Sequence, residues 1–174
     1  WAPPTISKVL DLCAGSGCIG LACVQHLEVD ADLVDLSEDA LAVAAKNIAK
    51  HKMSESARII QSDLFANVSD KYDVIVTNPP YVDAADLDAM PPEFHHEPRI
   101  ALAAGDDGLD LAHKILAEAA GYLSEQGILV MEVGNSWLAL EQSYPSVPFT
   151  WIEFERGGHG VCVFNRQELE QYFN

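Results

Sequence analysis

The chain has 174 residues, 49% of them hydrophobic and 21% charged, with 10 Lys and Arg against 27 Asp and Glu for a formal net charge of −17. That length and apolar content suit one globular domain with a full core. The acidic surface repels phosphate backbones and attracts basic partners, which disfavours DNA as a ligand of this chain. No apolar run approaches the roughly 20 residues of a membrane span, and no basic segment followed by an apolar stretch marks export. We therefore expect a cytoplasmic protein without a membrane partner. The chain opens at Trp1 rather than Met, which suggests a fragment or an excised domain.

In chain order, Val9-Leu10-Asp11-Leu12-Cys13 reads as a buried strand running into the turn Ala14-Gly15-Ser16-Gly17-Cys18-Ile19-Gly20. Ile19, Leu21, Ala22, Val24 and Leu27 continue as a helix, whose amino end offers free N–H groups and a positive dipole. Ala31 to Asp35 forms a second strand, and Asp35 at its end can accept both hydroxyls of a ribose. Ser37 reads as an N-cap, and Ala40, Leu41, Ala44, Ala45 and Ile48 space as a helical stripe. Arg58 to Gln61 is a third strand ending at Ser62-Asp63-Leu64-Phe65, where Asp63 can accept from an adenine amine with Leu64 or Phe65 against the ring.

Tyr72 to Thr77 is a fourth strand, stopped by Asn78-Pro79-Pro80-Tyr81 because neither proline has an N–H for a sheet ladder. Asn78 and the Pro79 carbonyl can together accept both protons of a planar NH2 group, and the Tyr81 ring can lie against its face. A plain strand-ending turn is the alternative for these four residues. The Pro- and acid-rich stretch from Val82 to Gly108, with His95-His96, lacks periodicity; loops of that length are usually functional, and we expect a flap over the amine seat. Leu109, Leu111, Ile115, Leu116, Ala119 and Leu123 space as a helix. Gly127 to Gly134 is a fifth strand, and Trp137 to Leu140 starts a helix that Pro145 ends. Phe149 to Phe154 and Val161 to Phe164 read as a terminal hairpin around Arg156-Gly157-Gly158-His159-Gly160, with a short helix over Arg166 to Phe173. Alternating α/β units imply a mainly parallel, doubly wound sheet closing with an antiparallel hairpin. Cys13, Cys18, Cys23 and Cys162 match no zinc spacing; we expect four reduced, buried thiols and no metal.

Gly15-x-Gly17-x-x-Gly20 with Asp35 also fits a dinucleotide fingerprint, so hydride transfer stays open on that evidence. The second half offers no evident hydride-transfer site, and an amine seat is not needed for hydride chemistry. A binding module without catalysis would not need both a nucleoside crevice and an amine seat.

Asp11-x-x-x-Gly15-x-Gly17, Asp35, Asp63 and Asn78-Pro79-Pro80-Tyr81 resemble the class I methyltransferases that use S-adenosylmethionine on a planar NH2 group. His96-Glu97-Pro98, Leu102-Ala103-Ala104-Gly105, Glu132-Val133-Gly134-Asn135-Ser136 and Glu155-Arg156-Gly157-Gly158-His159-Gly160 narrow that resemblance to the bacterial protein-glutamine N-methyltransferases. The Glu-Arg-Gly-Gly-His-Gly ending is most similar to the branch acting on a large-subunit ribosomal protein, with the release-factor enzymes as the sibling branch. The resemblance implies a Rossmann-like catalytic domain over 1–174, with an upstream helical recognition domain absent. It implies S-adenosyl-L-methionine as cofactor, held by Asp11, Cys13, Ala14, Gly15, Ser16, Gly17, Asp35, Leu36, Ser62, Asp63, Leu64 and Asn78. Asn78, Pro79, Pro80 and Tyr81 would bind the glutamine, and Asn78, Pro79 and Tyr81 would act in catalysis. The implied partner is a basic ribosomal protein; release factors, or an adenine amine in nucleic acid, are the alternatives.

Overall fold

The computed structural model describes residues 5–80, 109–155 and 158–173. Tyr81, the Val82–Gly108 stretch with His95-His96, and Arg156-Gly157 lie outside the described residues.

Seven strands form one sheet in the order β3-β2-β1-β4-β5-β7-β6. β1 (Lys8–Leu12), β2 (Asp30–Asp35), β3 (Ala57–Gln61), β4 (Tyr72–Thr77) and β5 (Leu123–Glu132) run parallel. β7 (Val161–Asn165) is antiparallel to β5, and β6 (Thr150–Trp151) is antiparallel to β7. This is the doubly wound, mainly parallel sheet with a closing hairpin that the alternation of elements implies. The chain returns to β1's free side after β3, so β1 and β4 flank the reversal of strand order. In such sheets ligands bind outside the carboxyl ends of the strands at that reversal.

Strand alternation sorts the core into two layers. Val9, Ala31, Leu33 and Val74 pack with Leu21, Ala44 and Ile48 of α1 (Cys18–Leu27) and α2 (Glu38–His51). Leu10, Leu12, Val34, Ile75, Leu129 and Met131 face the opposite layer. There they meet α3 (Asp110–Glu118), Leu140 of α4 (Trp137–Ser143) and Leu169 of α5 (Arg166–Tyr172). Covered on both faces, the central strands are apolar nearly throughout. Ser37 caps α2 through Ala40 N–H, as its position suggests. α5 opens with a reciprocal capping box between Asn165 and Glu168.

Three expectations change. Leu123 opens β5 instead of ending a helix: a 3-10 turn over Ala119–Tyr122 closes the helical segment, and Leu123 then pairs with Tyr72. The β4–β5 register shifts between Tyr72 and Val74, and Gly127 lies at the crowding, where a Cβ would come within 2.8 Å of the Tyr72 carbonyl oxygen. Only Thr150 and Trp151 of the Phe149–Phe154 segment pair in the sheet; Glu153 to Glu155 are exposed beyond it. Finally, Cys162 is buried but Cys13, in the turn after β1, and Cys23 are only half-buried; Cys18 is exposed because α1 turns Gly20 and Leu21, not its first residue, to the sheet. Burial pushes the Cys13 and Cys162 thiols up to about 12, so both stay protonated and inert. Among the described residues no helix is long and apolar enough to cross a membrane, and no group of side chains is arranged to hold a metal.

Candidate functional site

Because β3, β2, β1, β4 and β5 are parallel and adjacent, their carboxyl ends bring the sequence-distant candidates into one row. Leu12 pairs with both Val34 and Thr77, Asp35 with Gln61, and Thr77 with Met131. The glycine turn, Asp35-Leu36, Ser62-Asp63-Leu64 and Asn78-Pro79-Pro80 therefore share one edge.

The turn after β1 is shaped by backbone conformation. Cys13, Gly15 and Gly17 have φ of 60, 55 and 80°. Gly17 N–H donates to the Ala14 carbonyl, and Ala14 N–H reaches across to the Val34 carbonyl at 2.9 Å. Among the described residues nothing lies within 4 Å of where a Cβ on Gly15 would be, so the turn borders open space there. Among described non-glycine residues with positive φ, Glu28 and Lys52 are helix C-caps, whereas Cys13 and Leu64 stand on this edge. Strain retained at such positions clusters where ligands bind.

Gly17 is the N-cap of α1 and has no side chain with which to cap it. Asp11, on β1 beneath the helix, supplies the acceptor: its Oδ2 takes the Gly20 N–H at 2.7 Å. Gly20 must be glycine for that approach, since a Cβ would stand 2.2 Å from Leu33 Cδ2 and 2.9 Å from Asp11 Cβ. Burial pushes the Asp11 carboxyl up to about 7; the Gly20 bond opposes the rise and the charge of Asp35 adds to it.

Asp35 is half-buried, and each oxygen takes one backbone donor: Oδ2 from Gly15 N–H at 2.8 Å and Oδ1 from Ser37 N–H at 2.9 Å. A carboxylate has about four acceptor sites, so both oxygens keep one for the hydroxyls of a diol. Leu36 beside it is 56% exposed, an apolar surface on the same edge. Asp63 is exposed, and Leu64 packs half-buried against the core.

At β4 the strand ends as the prolines dictate. Asn78 is exposed, Pro79 buried and Pro80 half-buried. An anchored proline beside an exposed amide holds the Asn78 side chain and the Pro79 carbonyl on a stiff backbone. Tyr81, the fourth member of that seat, lies outside the described residues. Beneath it Thr77 is 3% exposed, and its Oγ1 meets no hydrogen-bond partner among the described residues. The Cys13 thiol is its neighbour across the β1 end. A buried, unsatisfied hydroxyl is costly, and this one stands between β1 and β4 under the crevice.

Two candidates turn inward. Asp11 is 1% exposed and spends its carboxylate on α1; Ser62 is 3% exposed and its Oγ accepts the Asn67 N–H at 2.9 Å, closing the turn after β3. Both position the edge from within. Ser16 is half-buried, its carbonyl fastened by Asn47 Nδ2 of α2 at 2.9 Å. Asn47 and Asn67, which tie the loops down, carry no sequence signal that separates them from ordinary polar surface residues.

A ribosomal protein uL3 glutamine methyltransferase of Francisella tularensis is 55% identical over 169 residues, covering 96% of this chain and 54% of that protein. One of the same name from Neisseria meningitidis is 42% identical over 165 residues, covering 94% and 54%. The chain thus spans about half the length of the curated relatives it matches. A methyltransferase from Pyrococcus furiosus superposes with a TM-score of 0.70 at 16% identity, over 93% of this chain and 76% of that one. A T. thermophilus 16S rRNA methyltransferase solved with AdoMet and guanosine gives 0.64 at 20% identity, over 91% and 37%. Those two structures share the Rossmann-like fold of class I methyltransferases described above. Residues 2–105, more than half of the chain, match the family model described as methyltransferase small domain, and the chain belongs to that family.

Proposed function

We propose that this chain forms the catalytic half of an enzyme that methylates the side-chain amide nitrogen of a glutamine in ribosomal protein uL3, with S-adenosyl-L-methionine as donor. Family membership argues for methyl transfer over the hydride transfer that the glycine run leaves open. The observation that carries the reading is the meeting of an open glycine turn, a diol-competent carboxylate and an Asn-Pro-Pro seat at neighbouring strand ends on the β1/β4 reversal.

The residues present fit the donor. Asp35 has acceptor capacity for both ribose hydroxyls, the space at Gly15 admits a methionine moiety, and Leu36 and Asp63 offer an apolar face and an acceptor to an adenine. When bound, S-adenosylmethionine supplies an electrophilic methyl group on a sulfonium. Asn78 Oδ1 and the Pro79 carbonyl accept the two amide hydrogens of the substrate glutamine. That holds its nitrogen in place and places negative dipoles where positive charge develops during attack. Tyr81 is assigned to the face of the amide plane. Cytoplasmic location follows from a ribosomal-protein substrate.

Acidic charge supports a basic protein partner: the chain carries −17 overall, and Glu153 and Glu155 are exposed at the same end of the sheet. The test is labelled methyl transfer by the full-length protein, with purified uL3, release factor and DNA offered side by side. Label on a uL3 glutamine is expected. Label on adenine or on the release factor, and not on uL3, overturns the substrate assignment.

A further inference from the structure

Two loops far apart in sequence meet at the carboxyl end of β5, one strand over from the Asn78 seat. The β4–β5 register aligns Thr77 with Met131, and neighbouring strands lie about 5 Å apart. β7 starts there, since Glu132 pairs with Val161. The Val133 N–H donates to the Gly160 carbonyl at 2.7 Å, and a Cβ on Gly160 would come within 2.2 Å of the Gly134 carbonyl oxygen. Gly134 and Gly160 both have positive φ, 48 and 76°. This backbone contact brings His159 Nε2 to 2.8 Å from Asn135 Oδ1, with both residues exposed.

Asn135 Oδ1 can only accept, so Nε2 of His159 carries the hydrogen. In the neutral ring Nδ1 is then an acceptor. Asn135 Nδ2 keeps two N–H groups that no described residue accepts. The pair thus offers a donor on Asn135 and an acceptor on His159, which a C=O and an N–H on one edge of an extended main chain can meet. Phe154, 48% exposed, lies against Gly158, with its Cδ2 3.4 Å from where a Cβ would stand. It adds an apolar surface next to the polar pair.

We propose that Asn135 and His159 grip one edge of the extended main chain of the methyl-acceptor protein next to its glutamine, with Phe154 against a flanking apolar side chain. They are positioning residues for a protein substrate and take no part in holding the methyl donor. The proposal rests on the glutamine-methylation reading and deepens it. An extended segment held at β5 would lead its glutamine side chain toward β4.

The test uses the full-length protein with His159→Ala, Asn135→Ala and His159→Gln. Steady-state kinetics are run on purified uL3, and S-adenosylmethionine affinity is measured by calorimetry. Each alanine variant should raise KM for uL3 by about tenfold, the worth of one good hydrogen bond. The loss should fall on KM rather than kcat, and donor affinity should be unchanged. His159→Gln, which keeps a donor and an acceptor, should recover part of the loss. Unchanged KM in both alanine variants, or a loss of donor affinity in its place, overturns the proposal. Should the wild-type protein transfer no methyl to uL3 glutamine, the function fails on its own. Direct binding of uL3 to the same variants then decides the grip: equal affinity in all of them overturns it.

Discussion

The two edges of the parallel sheet use the same residue type in opposite ways. At the amino edge, Asp32 is 2% exposed and fully engaged: Arg58 Nε and Nη2 reach its two oxygens at 2.5 and 2.8 Å, Tyr72 donates at 2.6 Å, and Lys8 Nζ lies 3.3 Å away. Asp70 closes the group by pairing with both Lys8 and Arg58. At the carboxyl edge, only three residues further along β2, Asp35 has no cation partner among the described residues and is held by backbone N–H groups alone. Positive-φ residues gather at that edge and unsatisfied Thr77 lies beneath it. One edge is neutralised and closed, which stabilises the strand order. The other keeps spare acceptors and strained backbone, which a ligand can satisfy.

The largest effect is expected where the closed edge is broken. Asp32→Ala strands Lys8, Arg58 and the buried Tyr72 hydroxyl, and should cost about 3–4 kcal/mol, the half-exposed Arg58 moderating the loss. Denaturant midpoints measure it. Donor affinity of the folded variant should stay within about twofold; a fall would mean that the edges are not independent.

Asp11 makes the open edge pH-dependent. Its carboxyl rises from 3.8 to about 7 in the folded chain, so between those values the folded state holds a proton that the unfolded state has lost. The resulting stabilisation is complete below about pH 4 and is lost as pH rises through about 7, a change on the order of 4 kcal/mol. Asp11→Asn keeps an acceptor for Gly20 N–H and should flatten stability across that window. A wild-type curve without this decline would show that another group compensates.

Asn78→Ala removes an exposed side chain, so stability should shift by no more than about 0.5 kcal/mol. Turnover should fall by on the order of a hundredfold, with donor affinity nearly intact. Near-normal turnover would reduce Asn-Pro-Pro to a strand-ending turn. Asp35→Ala should weaken S-adenosylmethionine binding by about 1.5–3 kcal/mol for each charged hydrogen bond lost, read by calorimetry; unchanged affinity would sink the ribose assignment. Thr77→Val, the mildest change, deletes an unsatisfied hydroxyl at nearly constant volume and should leave stability equal or raise it by up to about 1 kcal/mol. A clear loss of stability would reveal a bond that Thr77 Oγ1 does make.

The succession of strand, glycine turn, helix and acid-ended strands was legible from Val9 to Asn78, because apolar periodicity and Gly/Pro punctuation are local signals. So was the row of candidates at strand ends, since parallel strands joined by helices must end on one edge. Leu123 misled because 3.6-residue spacing continues across the point where the backbone tightens into a 3-10 turn and then extends; pairing with Tyr72 decides it.

By itself, then, the sequence determined the parallel α/β order, the place where β4 stops and the set of polar residues available at one edge. Only tertiary packing decided which of them face outward. The closeness of α1 to β1 turns Asp11 inward as a cap while Asp35, at the end of the next strand, stays open. The meeting of Gly134 with Gly160 joins Asn135 to His159, 24 residues away. Sequence periodicity states which face of its own element a residue occupies; which neighbour lies across from it depends on strand order and on how closely two backbones approach.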